Sequence, residues 1–190
     1  MKKACLFVVS GPSAVGKNSV VNEILKIDRS LSRVVTCTTR PMRKSEKHGV
    51  DYFFMEKNNF LLEADRGNFI EFSEVYGNYY GVMLSVVKEK INAGEDSILV
   101  INWEGFLKIK NVIGNGAYGI FILPPSMEDL KLRIKSRGED SAETMAHRIS
   151  MAREDMEKSK FYDFCFKNSD IISTAKDILK TINGVRLANS

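Results

Sequence analysis

The sequence predicts an α/β protein in which a central parallel sheet lies between layers of helix and carries two inserts. Two observations predict it. Short continuous apolar runs recur, each of the length and composition of a strand buried on both faces. Three of those runs are each followed by a segment with helical apolar spacing. Repeated strand–helix units pair their strands in parallel and lay the helices over the sheet.

The first run is Ala4–Val9, and a glycine-rich turn follows it. Val20, Val21, Ile24 and Leu25 then recur at helical spacing, predicting a helix over Lys17–Ile27. Ser97–Ile101 is a second buried strand, with a helix expected from Glu104 to Val112. Gly119–Leu123 is a third, ended by Pro124-Pro125. A helix should start near Ser126, where Glu128 and Asp129 complement its dipole. Phe164–Lys167 is a fourth, weaker strand. The tail from Thr174 to Leu187 puts Ile178, Leu179, Ile182 and Val185 on one helical face.

Two segments break this rhythm. Residues 36–87 are rich in aromatics and read as a small strand-rich insert with a helix near Asn59–Arg66. Residues 130–160 are highly charged and mostly helical. No linker or repeat divides the chain, so residues 1–190 are expected to form one domain. Its core would be 1–35, 88–129 and 161–190.

Composition excludes several classes. With 44% hydrophobic and 27% charged residues the chain has an ordinary globular balance, which argues against disorder. The net charge of +4 comes without a dense basic block interleaved with aromatics, so nucleic acid is not an expected partner. No stretch approaches membrane-spanning length, and no signal peptide is recognised. Cys5, Cys37 and Cys165 are unpaired in spacing and fit free thiols in a reducing cytoplasm. Cys5 and Cys165 lie in apolar runs and are expected to be buried. Two histidines, His48 and His147, are too few and too far apart for a zinc site.

The run Gly11-Pro12-Ser13-Ala14-Val15-Gly16-Lys17 falls between the first strand and the first helix. It has the G-x-x-x-x-G-K form of a P-loop. Small residues let backbone N–H groups wrap a phosphate, and the helix start adds partial positive charge. Lys17 would reach the β- and γ-phosphates. The Ser or Thr that usually follows the lysine and helps hold Mg²⁺ is replaced by Asn18, with Ser19 next. An amide oxygen at Asn18 is the candidate metal ligand.

Further motifs follow in order: Thr36-Cys-Thr-Thr-Arg-Pro-Met-Arg43 with Glu46, Gly49 and Asp51-Tyr52-Phe53; Phe69-Ile-Glu71; Gly77-Asn-Tyr-Tyr-Gly81; Pro124-Pro-Ser126; Arg137-Gly138; Arg148; and Asn168. Taken together the chain resembles the guanylate kinases, P-loop nucleoside monophosphate kinases, over nearly its whole length. The resemblance implies a three-layer αβα P-loop fold, with residues 36–87 as the GMP-binding insert and 130–160 as a lid. It implies ATP-dependent phosphorylation of GMP, and of dGMP, to GDP in purine metabolism and GMP recycling. ATP and Mg²⁺ would be the cofactors, and the enzyme a cytoplasmic monomer or homodimer.

It also implies roles. Gly11–Ser19 would cradle ATP. Arg40 and Arg43 would clamp the GMP phosphate, for which planar guanidinium forks are suited. Tyr52 and Tyr80 would donate to the same phosphate, and Thr36 and Gly81 would lie beside GMP. Glu71 would read guanine, whose N1–H and exocyclic amine sit side by side; adenine would leave the acid unpaired. Arg133 and Arg148 would act with Lys17 and Arg40 on the transferring phosphates, while Arg137 and Asn168 would flank ATP. Each residue also has a plain structural role open to it: a solvated helix face for the arginines, packing for the tyrosines, a turn for Asn168.

Besides Asn18, three positions depart from the family's pattern. Val82 stands where the family has Ser or Thr, and Val100 and Asn102 stand where it has acids. A weaker enzyme is therefore expected. Two other functions stay open: a P-loop kinase for another nucleotide or small phosphorylated substrate, and a guanylate-kinase-like interaction module without catalysis, against which Lys17 and the loop glycines argue.

Overall fold

Five parallel strands form the core sheet of the computed structural model, which describes residues 4–75, 77–136 and 142–189. They are β1 (Leu6–Ser10), β2 (Ser32–Arg33), β7 (Ser97–Val100), β8 (Ala117–Leu123) and β9 (Phe164–Lys167). The order is β2-β7-β1-β8-β9, with β1 at the centre.

Period-two alternation splits the core into two layers. Phe7 and Val9 pack against Val20, Val21 and Ile24 of α1 (Lys17–Ile27) and Ile178 and Ile182 of α7 (Ile171–Ala188). Leu6 and Val8 point the other way, onto Phe106 and Ile109 of α4 (Trp103–Ile113). These side chains are 3% exposed or less, and full burial of one such group contributes about 1.5–3 kcal/mol.

A second sheet holds β3 (Thr36–Thr38), β4 (Tyr52–Phe54), β5 (Phe69–Val75) and β6 (Asn78–Met83), in the order β4-β3-β6-β5. β3 and β4 are parallel; the other pairs are antiparallel. Only Val34 and Val35 separate β2 from β3, so the chain crosses from one sheet to the other within two residues. The ladder between β5 and β6 slips: Phe69 faces Met83, yet Glu71 faces Val82. This bulge at Ile70 re-aims the side chain that follows it. Helix α2 (Lys57–Asp65) seals the sheet through Phe60, whose ring stacks on Phe69 at 4.4 Å.

The expected strand–helix order is present, and α1 and β9 have the predicted bounds. Helix α7 starts three residues early because Asp170 accepts from Ser173 N at 2.8 Å and caps it. Strand β2 and helix α3 (Leu84–Asn92) were not anticipated. Cys5 is buried as expected, but Cys165 is exposed: β9 is an edge strand whose alternate residues face outward. The charged segment is helical where described, in α5 (Met127–Ser136) and α6 (Ala142–Glu157). Leu130 and Ile134 of α5 nevertheless belong to the core. No described helix is long and apolar enough to cross a membrane.

Candidate active site

The loop after β1 needs its glycines. Gly11 has φ 145°, and a Cβ there would collide with the Ile122 carbonyl. Gly16 has φ 99°, and its Cβ would lie 2.7 Å from Asn168 Nδ2. Both positions combine left-handed backbone with close approach, which only glycine tolerates. Ala14 is left-handed as well, at φ 64°.

The loop is fastened from behind. Asn168 Nδ2 donates to the Val15 carbonyl at 2.8 Å, and Arg133 Nη1 donates to the same oxygen at 3.1 Å. Lys17 Nζ donates to Gly11 O at 2.7 Å and Pro12 O at 2.9 Å, so its ammonium lies folded over the loop.

Opposite the loop stands the second sheet, and the two enclose a cleft of about 380 Å³. Arg40 Nη2 donates to Glu46, while its guanidinium lies over the rings of Tyr52 and Phe54 at 5.6 and 5.8 Å. The Tyr80 hydroxyl lies close by and, with Glu46, favours the charged guanidinium despite its burial. Glu46 accepts from the Arg43 backbone N at 2.9 Å, tying the two arginine positions together. Despite its burial, the hydrogen bonds of Arg40 and Arg43 hold the Glu46 carboxyl below the usual range.

Glu71 lies deeper, 3% exposed, and its Oε1 has no hydrogen-bond partner among the described residues. Burial pushes its carboxyl up to about 7, opposed by nearby Lys108 and a contact with Ser73 and reinforced by Glu104. An acid so placed is aimed at something the protein itself does not supply. Its cross-strand neighbour Val82 brings no polar atom; Ser73, on the same face of β5, and Asn102 line the cleft beside it.

The third wall comes from α6 and the turn after it. Arg148, Asp155 and Lys158 face the cleft. Lys158 Nζ lies 3.5 Å from Glu104 and 3.6 Å from Asp155. Burial raises the Asp155 carboxyl, opposed by Lys158 and Lys17.

Of the residues singled out from sequence, the cleft gathers Gly11, Ser13, Ala14, Gly16, Lys17, Asn18 and Ser19 with Thr36, Arg40, Arg43, Tyr52, Glu71, Tyr80, Gly81 and Arg148. Pro12 and Val15 serve through loop carbonyls. Arg133 and Asn168 stand behind the loop, and Arg137 lies outside the described residues. Sequence reasoning gave no role to Glu46, Ser73, Asp155 or Lys158. Only Glu46, six residues after Arg40, carried a signal, as part of the arginine motif. Cys37 is fully buried and burial pushes its thiol up to about 11, which disfavours the thiolate. Among the described residues no group of three or more His, Cys, Asp or Glu side chains is arranged to hold a metal ion.

The family model described as guanylate kinase matches residues 3–184. A guanylate kinase of Nitrosomonas europaea is 38% identical, over 97% of this chain and 91% of its own. One from Clostridioides difficile is 39% identical, over 94% and 86%. Among solved structures, a guanylate kinase from Anaplasma phagocytophilum superposes with a TM-score of 0.82 at 31% identity, covering 97% of this chain and 87% of that one.

Proposed function

The chain belongs to the guanylate kinase family, and from that premise we infer how its cleft works. It is a nucleoside monophosphate kinase that phosphorylates GMP, with ATP as the family's donor. The finer readings are ours: dGMP is a second acceptor, the setting is cytoplasmic purine metabolism and GMP recycling, and the unit is a monomer or homodimer.

One observation carries the assignment of sites. A single cleft has the Gly11–Lys17 loop on one wall, and Arg40, Arg43 and Glu71, whose Oε1 has no partner among the described residues, on another. The loop amides, the start of α1 and Lys17 would hold the donor's phosphates. Binding requires the Lys17 ammonium to leave the Gly11 and Pro12 carbonyls for phosphate oxygens. Arg40, Arg43, Tyr52 and Tyr80 would hold the acceptor phosphate, and Thr36, Gly81 and Glu71 the guanosine. Ionised Glu71 accepts from guanine N1–H and N2–H, satisfying the orphaned oxygen. Arg148 would meet the transferring phosphoryl group from the α6 side. The work is positioning and charge neutralisation, as phosphoryl transfer demands.

Arg133 and Asn168 act one step removed, holding the Val15 carbonyl so that the loop keeps its shape. Arg137 would flank ATP. The division into core, insert 36–87 and lid 130–160 is supported by the two separate sheets, although Leu130 and Ile134 tie α5 to the core.

Mg²⁺ would arrive on the phosphates of ATP and neutralise their charge there. Asn18 does not fit as its protein ligand. The Asn18 Oδ1 already accepts from Arg33 Nη2 at 2.8 Å, and a dication beside it would face that guanidinium.

The test is a coupled assay with ATP, Mg²⁺ and GMP, dGMP, AMP or UMP as acceptor. Turnover with GMP and dGMP and little with AMP or UMP is expected. ATP that neither turns over nor raises the melting temperature would instead indicate an interaction module.

A further inference from the structure

Arg33 ends β2 and lies at the two-residue crossing into β3. Its guanidinium donates through Nη2 to Asn18 Oδ1 at 2.8 Å and through Nη1 to Asn22 Oδ1 at 2.7 Å. Asn18 and Asn22 are one turn apart on one face of α1, the helix that continues the phosphate loop. The Asn18 side chain also lies beside the Tyr52 hydroxyl on β4, close enough to oppose the effect of burial on it. Asn22, Arg33, Asn18 and Tyr52 therefore form a continuous polar bracket. It joins the donor loop's helix, the junction of the two sheets and the acceptor wall.

Neither sheet alone sets the distance between the two phosphate sites. That distance depends on how the second sheet is set at the Val34–Val35 crossing and at the return through α3. A planar guanidinium with two donors 2.7–2.8 Å from two acceptors on a rigid helix fixes the first of these. We propose that Arg33 is a positioning residue for phosphoryl transfer: through Asn18 it locks the phosphate loop's helix to the acceptor sheet and sets the separation of donor and acceptor phosphates. Asn18, at the position where a metal-binding hydroxyl is usual, is the keystone of this bracket.

This inference rests on the kinase reading above and deepens it. Arg33 does not line the cleft, so its substitution removes no contact with either nucleotide. Arg33→Met should lower kcat with GMP by between about tenfold and a hundredfold, the scale on which slight misplacement of reacting groups registers. The KM for ATP should stay within about twofold, because the loop's own contacts persist. Arg33→Lys, which reaches only one asparagine, should fall between. Asn22→Ala, which loosens Arg33 from outside the cleft, should reproduce part of the loss.

The decisive measurement is the cycle of Arg33→Met, Asn18→Ala and the double variant. A double variant within about twofold of the worse single is expected, because both changes break one bracket. Multiplying effects would overturn the proposal. So would variants that lose melting temperature but keep kcat, since Arg33 would then be a stability residue only. Absence of GMP turnover in the wild-type protein would overturn the kinase reading itself, and this inference with it.

Discussion

A single nitrogen of Arg40, Nη2, lies 2.8 Å from one oxygen of Glu46 and 3.0 Å from the other. The two side chains are 15% and 14% exposed, so water screens this pair weakly. The carboxylate holds the guanidinium against the Tyr52 and Phe54 rings, which presets it for an incoming phosphate. Glu46→Gln keeps the shape and weakens a charge-assisted bond, a loss of about 1–2 kcal/mol. The KM for GMP should therefore rise about tenfold while the KM for ATP holds. Arg40→Lys should do worse, because an ammonium offers no planar fork. Steady-state kinetics with each nucleotide varied in turn would check this, and an unchanged GMP KM in Glu46→Gln would remove Glu46 from the site.

Glu71 gives the enzyme a pH signature. Its carboxyl, raised to about 7 in the folded protein against an ordinary 4.5, is protonated in the empty cleft below that value. Guanine needs the carboxylate, so GMP must expel the proton. Affinity for GMP should rise between pH 6 and 7.5, and at pH 6 Glu71 should release up to about one proton per site on binding, beyond what the GMP phosphate releases. Calorimetry in buffers of different ionisation enthalpy reads that number directly. Glu71→Gln should remove the Glu71 share of the release, leaving only what the GMP phosphate contributes, and cost GMP selectivity over AMP far more than ATP affinity; equal losses would contradict the role. The sign for stability is opposite. Between pH 4.5 and 7 the folded state binds more protons than the unfolded one, so the empty protein should lose stability as pH rises across that window.

How much of this was legible beforehand depended on whether the cause is local. Helix α1 was legible to the residue, because Val20, Val21 and Ile24 mark one face and Gly16 marks the start. Strand β2, two half-buried residues long, carries no period at all. The type of Glu71 was readable from its motif. Its aim was not, because the bulge at Ile70 arises from pairing with β6, which no local pattern encodes. Arg133 and Asn168 teach the same lesson. An arginine or amide that can hold a nucleotide can equally hold a carbonyl, and only packing decides that the Val15 oxygen is the partner.

Asn168 follows from that packing. It is 1% exposed and serves two partners, the Val15 carbonyl and the Thr174 hydroxyl at 3.2 Å. Asn168→Ala removes both bonds, leaving the Val15 carbonyl to Arg133 Nη1 and the Thr174 hydroxyl to the Lys167 carbonyl, at a cost of about 1–3 kcal/mol for the two. For a chain of this length each kcal/mol lowers Tm by about 2–4 °C. The loop loses the shorter of its two rear anchors at the same time, so ATP binding should weaken by several-fold more than GMP binding. Denaturant titration paired with nucleotide titration would show both. A stability loss with unchanged ATP affinity would mean that Arg133 alone suffices to shape the loop.

Gly81 tests whether the two sheets fail independently. Its φ is ordinary, so its requirement is space: a Cβ there would lie 2.8 Å from Phe69 Cδ1 and 2.9 Å from Phe60 Cζ. Those rings are stacked and flank the hairpin that carries Glu71 and Tyr80, so neither can yield without moving the acceptor wall. Gly81→Ala should cost about 1–3 kcal/mol by overpacking and raise the KM for GMP, leaving ATP affinity near wild type because the phosphate loop belongs to the other sheet. Gly94→Ala is the control. Its φ of 71° strains an added side chain, but nothing lies within 4 Å of the new Cβ. It should lower Tm without touching either KM. Adding Phe69→Leu to Gly81→Ala should recover part of the GMP affinity by giving the new methyl room. If relief at Phe69 restores nothing, the clash is not what displaces the acceptor wall.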